Sequence, residues 1–272
     1  MADLSIHGWT ERREPPVRPE FERPVTDAGD IAAVERPLSA WERITNVTAV
    51  RRLFVLAVIV AAWEGFAIYQ NNPLMFPTFS ATAAAFWDSV VNAGLLQMAA
   101  VSISVLLKGY AIGIAIALAL TSLAVSTRIG NDFLSTLTSM FNPLPAIALL
   151  PLAMLWFGLG EASLIFVLIH SVLWAVALNT HSGFMAVSET LRMAGRNYGL
   201  TGARYVALIL VPAAFPAILA GLKIGWAFAW RTLIAAELVF GVASGQGGLG
   251  WYIFQNRNEL YIDRVFAGLA MV

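Results

Sequence analysis

The sequence predicts an all-α integral membrane protein of about six transmembrane helices. Three observations predict it. The chain of 272 residues is 58% hydrophobic and only 12% charged, with a mean hydropathy of +0.71, whereas soluble domains carry about 25% charged residues. Long apolar runs alternate with short polar connections. The arginines gather in every second connection, which sets an orientation. A formal net charge of zero gives no pointer to nucleic acid, and no such partner is expected. The absence of cysteine excludes disulfide frameworks, thiolate metal sites and cysteine nucleophiles.

Residues 1–50 differ from the rest. They hold five of the twelve prolines and no long apolar run, so they read as a disordered cytoplasmic tail ahead of a membrane domain over 51–272. The first span is Leu53–Tyr69, about 25 Å of helix. Arg36, Arg43, Arg51 and Arg52 precede it and place its start in the cytoplasm. Asn71-Asn-Pro73 ends it. Ala81–Gln97 reads as an interfacial helix, with Phe86, Val90 and Ala93 on one face and Trp87 suited to the headgroup level.

A second span covers Met98–Val125 and contains Lys108. A third, Asp132–Phe157, carries Pro143, Pro145 and Pro151, which a membrane helix tolerates when neighbours satisfy the freed carbonyls. Gly158-Leu-Gly-Glu161 turns outside, and a fourth span runs over Ala162–Asn179. A polar loop over about 181–211 follows, then a fifth span, Val211–Phe240, and an outer connection, Gly241–Tyr261. A sixth begins near Ile262, but the eleven residues to Val272 cover only about 16 Å. The last helix is therefore expected to be truncated.

The polar loop is the anomaly among the apolar runs. Leu191, Ala194, Gly195 and Tyr198 recur on one face of a helix over Ser188–Tyr198, while Glu189, Arg192 and Arg196 occupy the others. Ser188 is placed as its N-cap, and Glu189 in the first turn complements the helix dipole. Gly199 is placed for a left-handed C-cap. Small residues at 194 and 195 leave room for a partner surface, and Pro212 and Pro216 bend the return into the membrane. Helix physics alone fits a surface helix on lipid headgroups equally well.

Ala194-Gly-Arg-Asn-Tyr-Gly199 followed by Leu210-Val-Pro212 resembles the EAA loop of ABC importer permeases, in which EAA, three residues and Gly precede a hydrophobic-Pro pair. Met193 stands where that pattern has Glu, and Gly195 where it has Ala. Glu189, one turn earlier, is the carboxylate that could stand in. Phe76-Pro-Thr-Phe-Ser80, the proline run from 143 to 151, Leu155-Trp-Phe-Gly-Leu-Gly-Glu161, Ala235-Ala-Glu237 and Gly247-Gly-Leu-Gly250 resemble permeases of nitrate/sulfonate/taurine-type importers. The similarity covers about Arg52 to Val272.

The resemblance implies a type I ABC importer permease (MetI-like) fold in a bacterial inner membrane. It further implies a homodimer with a second permease copy, two ATP-binding cassette subunits that carry ATP and Mg2+, and a periplasmic or lipid-anchored substrate-binding protein. No cofactor is expected on this chain. The ATPase-coupling residues would be Glu189, Arg192, Met193, Ala194, Gly195, Arg196, Gly199 and Pro212.

Charges inside a membrane are costly and usually line a bundle interior or a path. Arg231, Glu237 and Lys108 are the candidates for a translocation pathway. Arg231 offers bidentate recognition of an oxyanion; a buried ion pair is the alternative reading. Glu64 and Lys108 also read as structural or snorkelling charges. Gly109/Gly113 and Gly221/Gly225 have the spacing of close helix contacts. Gly245-Gln-Gly-Gly-Leu-Gly250 matches a nucleotide-loop pattern but follows a membrane helix, so a tight turn is expected. The sequence has no P-loop. His7, His170 and His181 are isolated, which excludes a zinc site of ordinary spacing. An ion-gradient-driven transporter or channel is the rival reading, and no inverted repeat supports it.

Overall fold

A computed structural model describes residues 45–125, 127–240 and 247–272. The chain divides into two compact units, Met1–Leu56 and Ala57–Val272. The tail expected over 1–50 lies outside the described residues up to position 44. The described residues form helices and turns, with no strand among them. Among the described residues four helices are long and apolar enough to cross a membrane, and a bent helix pair taken as one span brings the total to five.

Helix α1, Thr48–Gln70, ends at Asn71, whose φ of 43° is one that a short amide side chain tolerates. The Trp63 indole donates to the Pro77 carbonyl (2.9 Å), and Glu64 accepts from the Ser80 hydroxyl (2.7 Å) and amide (3.2 Å). Glu64 is thus a structural charge that meets the amides opening α2, Phe79–Val91. Thr78 caps that helix by accepting from the Ala81 amide. The interfacial helix stops six residues short of the expected Gln97. Gly94 adopts φ 69°, which glycine reaches without strain, and Leu95 already opens α3, Leu95–Ala124.

The third span is a broken one. Helix α4, Arg128–Phe141, meets a 3-10 turn, Ala146–Leu149, and α5, Leu150–Phe157, at a bend of 88°. Pro143 and Pro145 lack amide protons two residues apart, and Pro145 is extended, so the helical ladder cannot pass through them. Pro151 falls instead in the first turn of α5, where proline suits a helix.

Helix α6, Glu161–Met185, runs further than expected and takes His181 out of the loop. The His181 imidazole meets the Asn131 side chain of α4, which holds this extra turn in place. After the loop helix α7, Glu189–Asn197, the chain becomes helical again at Gly202, ahead of the expected Val211. It runs as α8, Gly202–Tyr205, through a π turn, Val206–Leu210, into α9, Val211–Phe240. Pro212 has no proton for the Leu208 carbonyl, and the Val211 amide bonds the Val206 carbonyl one residue further back. Pro212 therefore coincides with a π turn in a continuous rod, and Pro216 is absorbed inside α9. Part of the expected outer connection is also helical, as α10, Leu249–Asn258, followed by α11, Ile262–Met271. Of the glycine pattern over 245–250, the first two residues lie outside the described residues.

The core sits where α3 and α9 clasp α6. A Cβ on Gly109 would lie 2.6 Å from Leu168, and one on Gly113 would lie 2.9 Å from Val172. A Cβ on Gly221 would lie 2.8 Å from Asn179, and one on Gly225 would lie 3.2 Å from Val176. With lipid on the outside, such backbone approach and its dispersion contacts supply much of the association. Leu106, Leu168, Val172, Val176 and Leu233 fill this cluster.

Candidate functional site

The loop helix α7 is built by its ends. Glu189 lies in the first turn and Arg196 in the last, each favourable to the helix dipole. Ser188 occupies the N-cap position, yet its side chain makes no capping bond. The C-terminus is closed as the sequence anticipates. Gly199 has φ 71°, its amide bonds the Arg196 carbonyl (2.9 Å), and the Leu200 amide bonds the Gly195 carbonyl (3.1 Å). That paired arrangement is a Schellman motif.

The expected apolar face divides in two. Gly195 is buried against the chain's own return helix: a Cβ there would lie 2.9 Å from Ile209 and 3.1 Å from Tyr205. The room at 195 is therefore filled from within the subunit rather than left for a partner. Glycine in place of the pattern's alanine has this physical reason. Tyr198 is 86% exposed, and Met193 and Leu191 are exposed as well. Ala194 is half-buried, and Glu189 and Arg196 point away from the core. Arg192 folds back to the end of α6, donating from Nε to the Val187 carbonyl (3.1 Å) and from its terminal nitrogen to the Phe184 carbonyl.

The intramembrane charges separate in the same way. Lys108 pairs with Glu161 at the start of α6 (2.6 Å). Glu237 is buried on α9 and meets the N-terminus of α10. It accepts from the Gly250 amide (2.8 Å) and the Ser102 hydroxyl (2.8 Å), while Ser102 Oγ accepts from the Leu249 amide (2.9 Å). Gly248 lies against both side chains, where a Cβ would collide with the Glu237 carboxylate and Ser102 Oγ. Glu237 is thus enclosed as an anchor for α10, away from Arg231.

Arg231 lines a cavity of about 350 Å³ at the bend of the broken span. Its Nε donates to the Ala227 carbonyl (3.1 Å), and its guanidinium lies 5.0 Å from the centre of the Phe228 ring. Asn142, His170 and Trp174 share this cavity. In the sequence His170 reads as an isolated histidine and Trp174 carries no reading of its own; their i, i+4 spacing on α6 was the available signal.

Residues 109–272 match the family described as binding-protein-dependent transport system inner membrane component. The chain belongs to that family. It is 30% identical to the taurine transport system permease protein of Escherichia coli, covering 80% of each chain. It is 26% identical to the nitrate import permease protein of a Synechocystis strain, covering 84% of each. As a permease of this family it is a multi-pass transport subunit rather than an enzyme, and it serves ATP-driven, binding-protein-dependent import alongside ATPase and substrate-binding partners.

Proposed function

We propose that two copies of this permease form the path for a small anionic solute across a bacterial inner membrane, with the N-terminus in the cytoplasm. Two separate ATP-binding cassette subunits would hold ATP and Mg2+ and seat against α7, and this chain would carry no cofactor. A periplasmic or lipid-anchored protein would deliver the solute. The names of relatives point to taurine, nitrate and aliphatic sulfonates, and bicarbonate belongs to the same chemical range.

The observation that carries the docking role is α7 itself. It is a short helix with a closed left-handed C-terminus that leaves Met193 and Tyr198 exposed beyond its buried Gly195. Closure of the ATPases would push α7, and the Arg192 contacts would pass the displacement to α6. Ala194, Arg196 and Glu189 would border the contact, while Gly199 would close α7 and Pro212 would hold the π turn of the return helix behind it. Arg231 would meet the anion on its way, and the cytoplasmic start rests on Arg51 and Arg52 near the beginning of α1.

Purification of the membrane complex tests this reading. A P-loop ATPase should co-purify in stoichiometric amount, and ATP depletion should stop uptake. Absence of that partner, with uptake surviving depletion, would overturn it.

A further inference from the structure

The cavity at the bend of the broken span is better equipped than a passage needs to be. Arg231 lies nine residues before the end of α9, and His170 nine residues after the start of α6. Each is about 13 Å along its helix from that end, near the middle of a hydrocarbon core about 30 Å thick. A guanidinium at that depth normally pairs with a carboxylate or lines an aqueous site. Among the described residues the ion pairs are Lys108–Glu161 and Arg264–Asp88, and Arg231 has none.

Neighbouring polar groups lack hydrogen-bond partners. Both ring nitrogens of His170 and Nε1 of Trp174 are buried without a hydrogen-bond partner among the described residues. Buried donors of this kind are ordinarily satisfied. The Trp174 ring is held by stacking on Phe141 at 5.2 Å, and His170 packs edge-on to the same ring. The bend adds apolar lining from Pro143, Leu144, Pro145 and Ile147.

We propose that this cavity is a resident binding site for a small organic oxyanion, so that the permease itself selects solute after delivery. Arg231 and the Trp174 indole N–H donate to the anion's oxygens, and His170 supplies a further polar contact. The proline wall takes a short apolar body, which favours an alkanesulfonate over a bare inorganic anion. A phospholipid headgroup shares the oxyanion chemistry, but the mid-membrane depth favours a free solute. This inference rests on the importer reading, since it assigns the site to transported solute.

The test uses the full-length permease with its co-purified ATPase in phosphatidylcholine nanodiscs, without binding protein, titrated with ethanesulfonate, nitrate and choline. Ethanesulfonate should bind saturably, nitrate more weakly and choline not at all. Arg231→Gln should weaken ethanesulfonate binding about tenfold or more, as expected for loss of a charge-assisted bond. Trp174→Phe keeps the stacked ring, removes the donor and should weaken binding several-fold, which covers the case of a misfolded arginine variant. Added phosphatidylglycerol should leave the affinity unchanged; competition by it would assign the site to a headgroup and overturn the proposal. No saturable binding, undiminished binding in Arg231→Gln, or equal affinity for nitrate would also overturn it. Failure of any ATPase to co-purify would instead overturn the importer reading.

Discussion

Arg192 has the sharpest consequence among single residues. Carbonyls at the end of a helix lack internal donors and carry partial negative charge. The Arg192 guanidinium adds donors to the Phe184 carbonyl in the last turn of α6 and to the Val187 carbonyl just beyond that helix, and so ties α7 to α6. Arg192→Met keeps much of the stem and removes the donors, at a cost of about 1.5–3 kcal/mol by the usual worth of charge-assisted bonds. ATPase association should survive in that variant, while solute-stimulated ATP hydrolysis should fall several-fold and recover in part in Arg192→Lys. Undiminished stimulation would show that the contact carries no coupling. Helical periodicity placed Arg192 on a polar face of α7, but it does not say that a long side chain reaches the preceding turn. The same limit hid the fate of Glu237, whose partners come from positions 102 and 250, far away in sequence.

Among elements, α7 depends on its terminator. Gly199 has φ 71° with nothing within 4 Å of a would-be Cβ, so a substitution there meets conformational strain rather than a clash. Gly199→Val should cost at least about 1–2 kcal/mol locally, fray the end of α7 and reduce co-purification of the ATPase while membrane insertion remains intact. Gly199→Asn should be tolerated, because asparagine visits this conformation. Equal ATPase recovery from wild type and the valine variant would remove the docking role from this turn. The glycine was legible because few residue types other than glycine take the left-handed conformation without strain. The proline run was less so: three prolines in one apolar stretch suggested a single tolerant span, but two break the helix and the third begins a new one. The re-entry at Gly202 was missed because a π turn, invisible to a 3.6-residue pattern, carries the helix through to Pro212.

For the whole molecule, the two glycine pairs prove to serve one joint, with Val172 against both Gly113 and Gly225. The spacing announced close contacts without naming the partner, and α6 is that partner for both. Gly113→Leu would drive a side chain into Val172, which lies 2.9 Å from the would-be Cβ, and should destabilise by about 1–3 kcal/mol as overpacking does. Gly65→Leu on α1 meets nothing within 4 Å and is the control. Thermal unfolding in detergent should show the first variant melting several degrees lower and the second unchanged; matching melting curves would refute the joint. The Glu237 anchor gives this architecture an order in time. Ser102 belongs to the early helix α3, Glu237 to the late helix α9, and the Gly250 amide follows later still. During synthesis the carboxylate acquires its full set of donors only after the chain has closed back on an earlier segment. Any intermediate with α10 undocked leaves an acceptor underserved within an apolar bundle, so the anchor makes docking of α10 the step that completes this part of the fold.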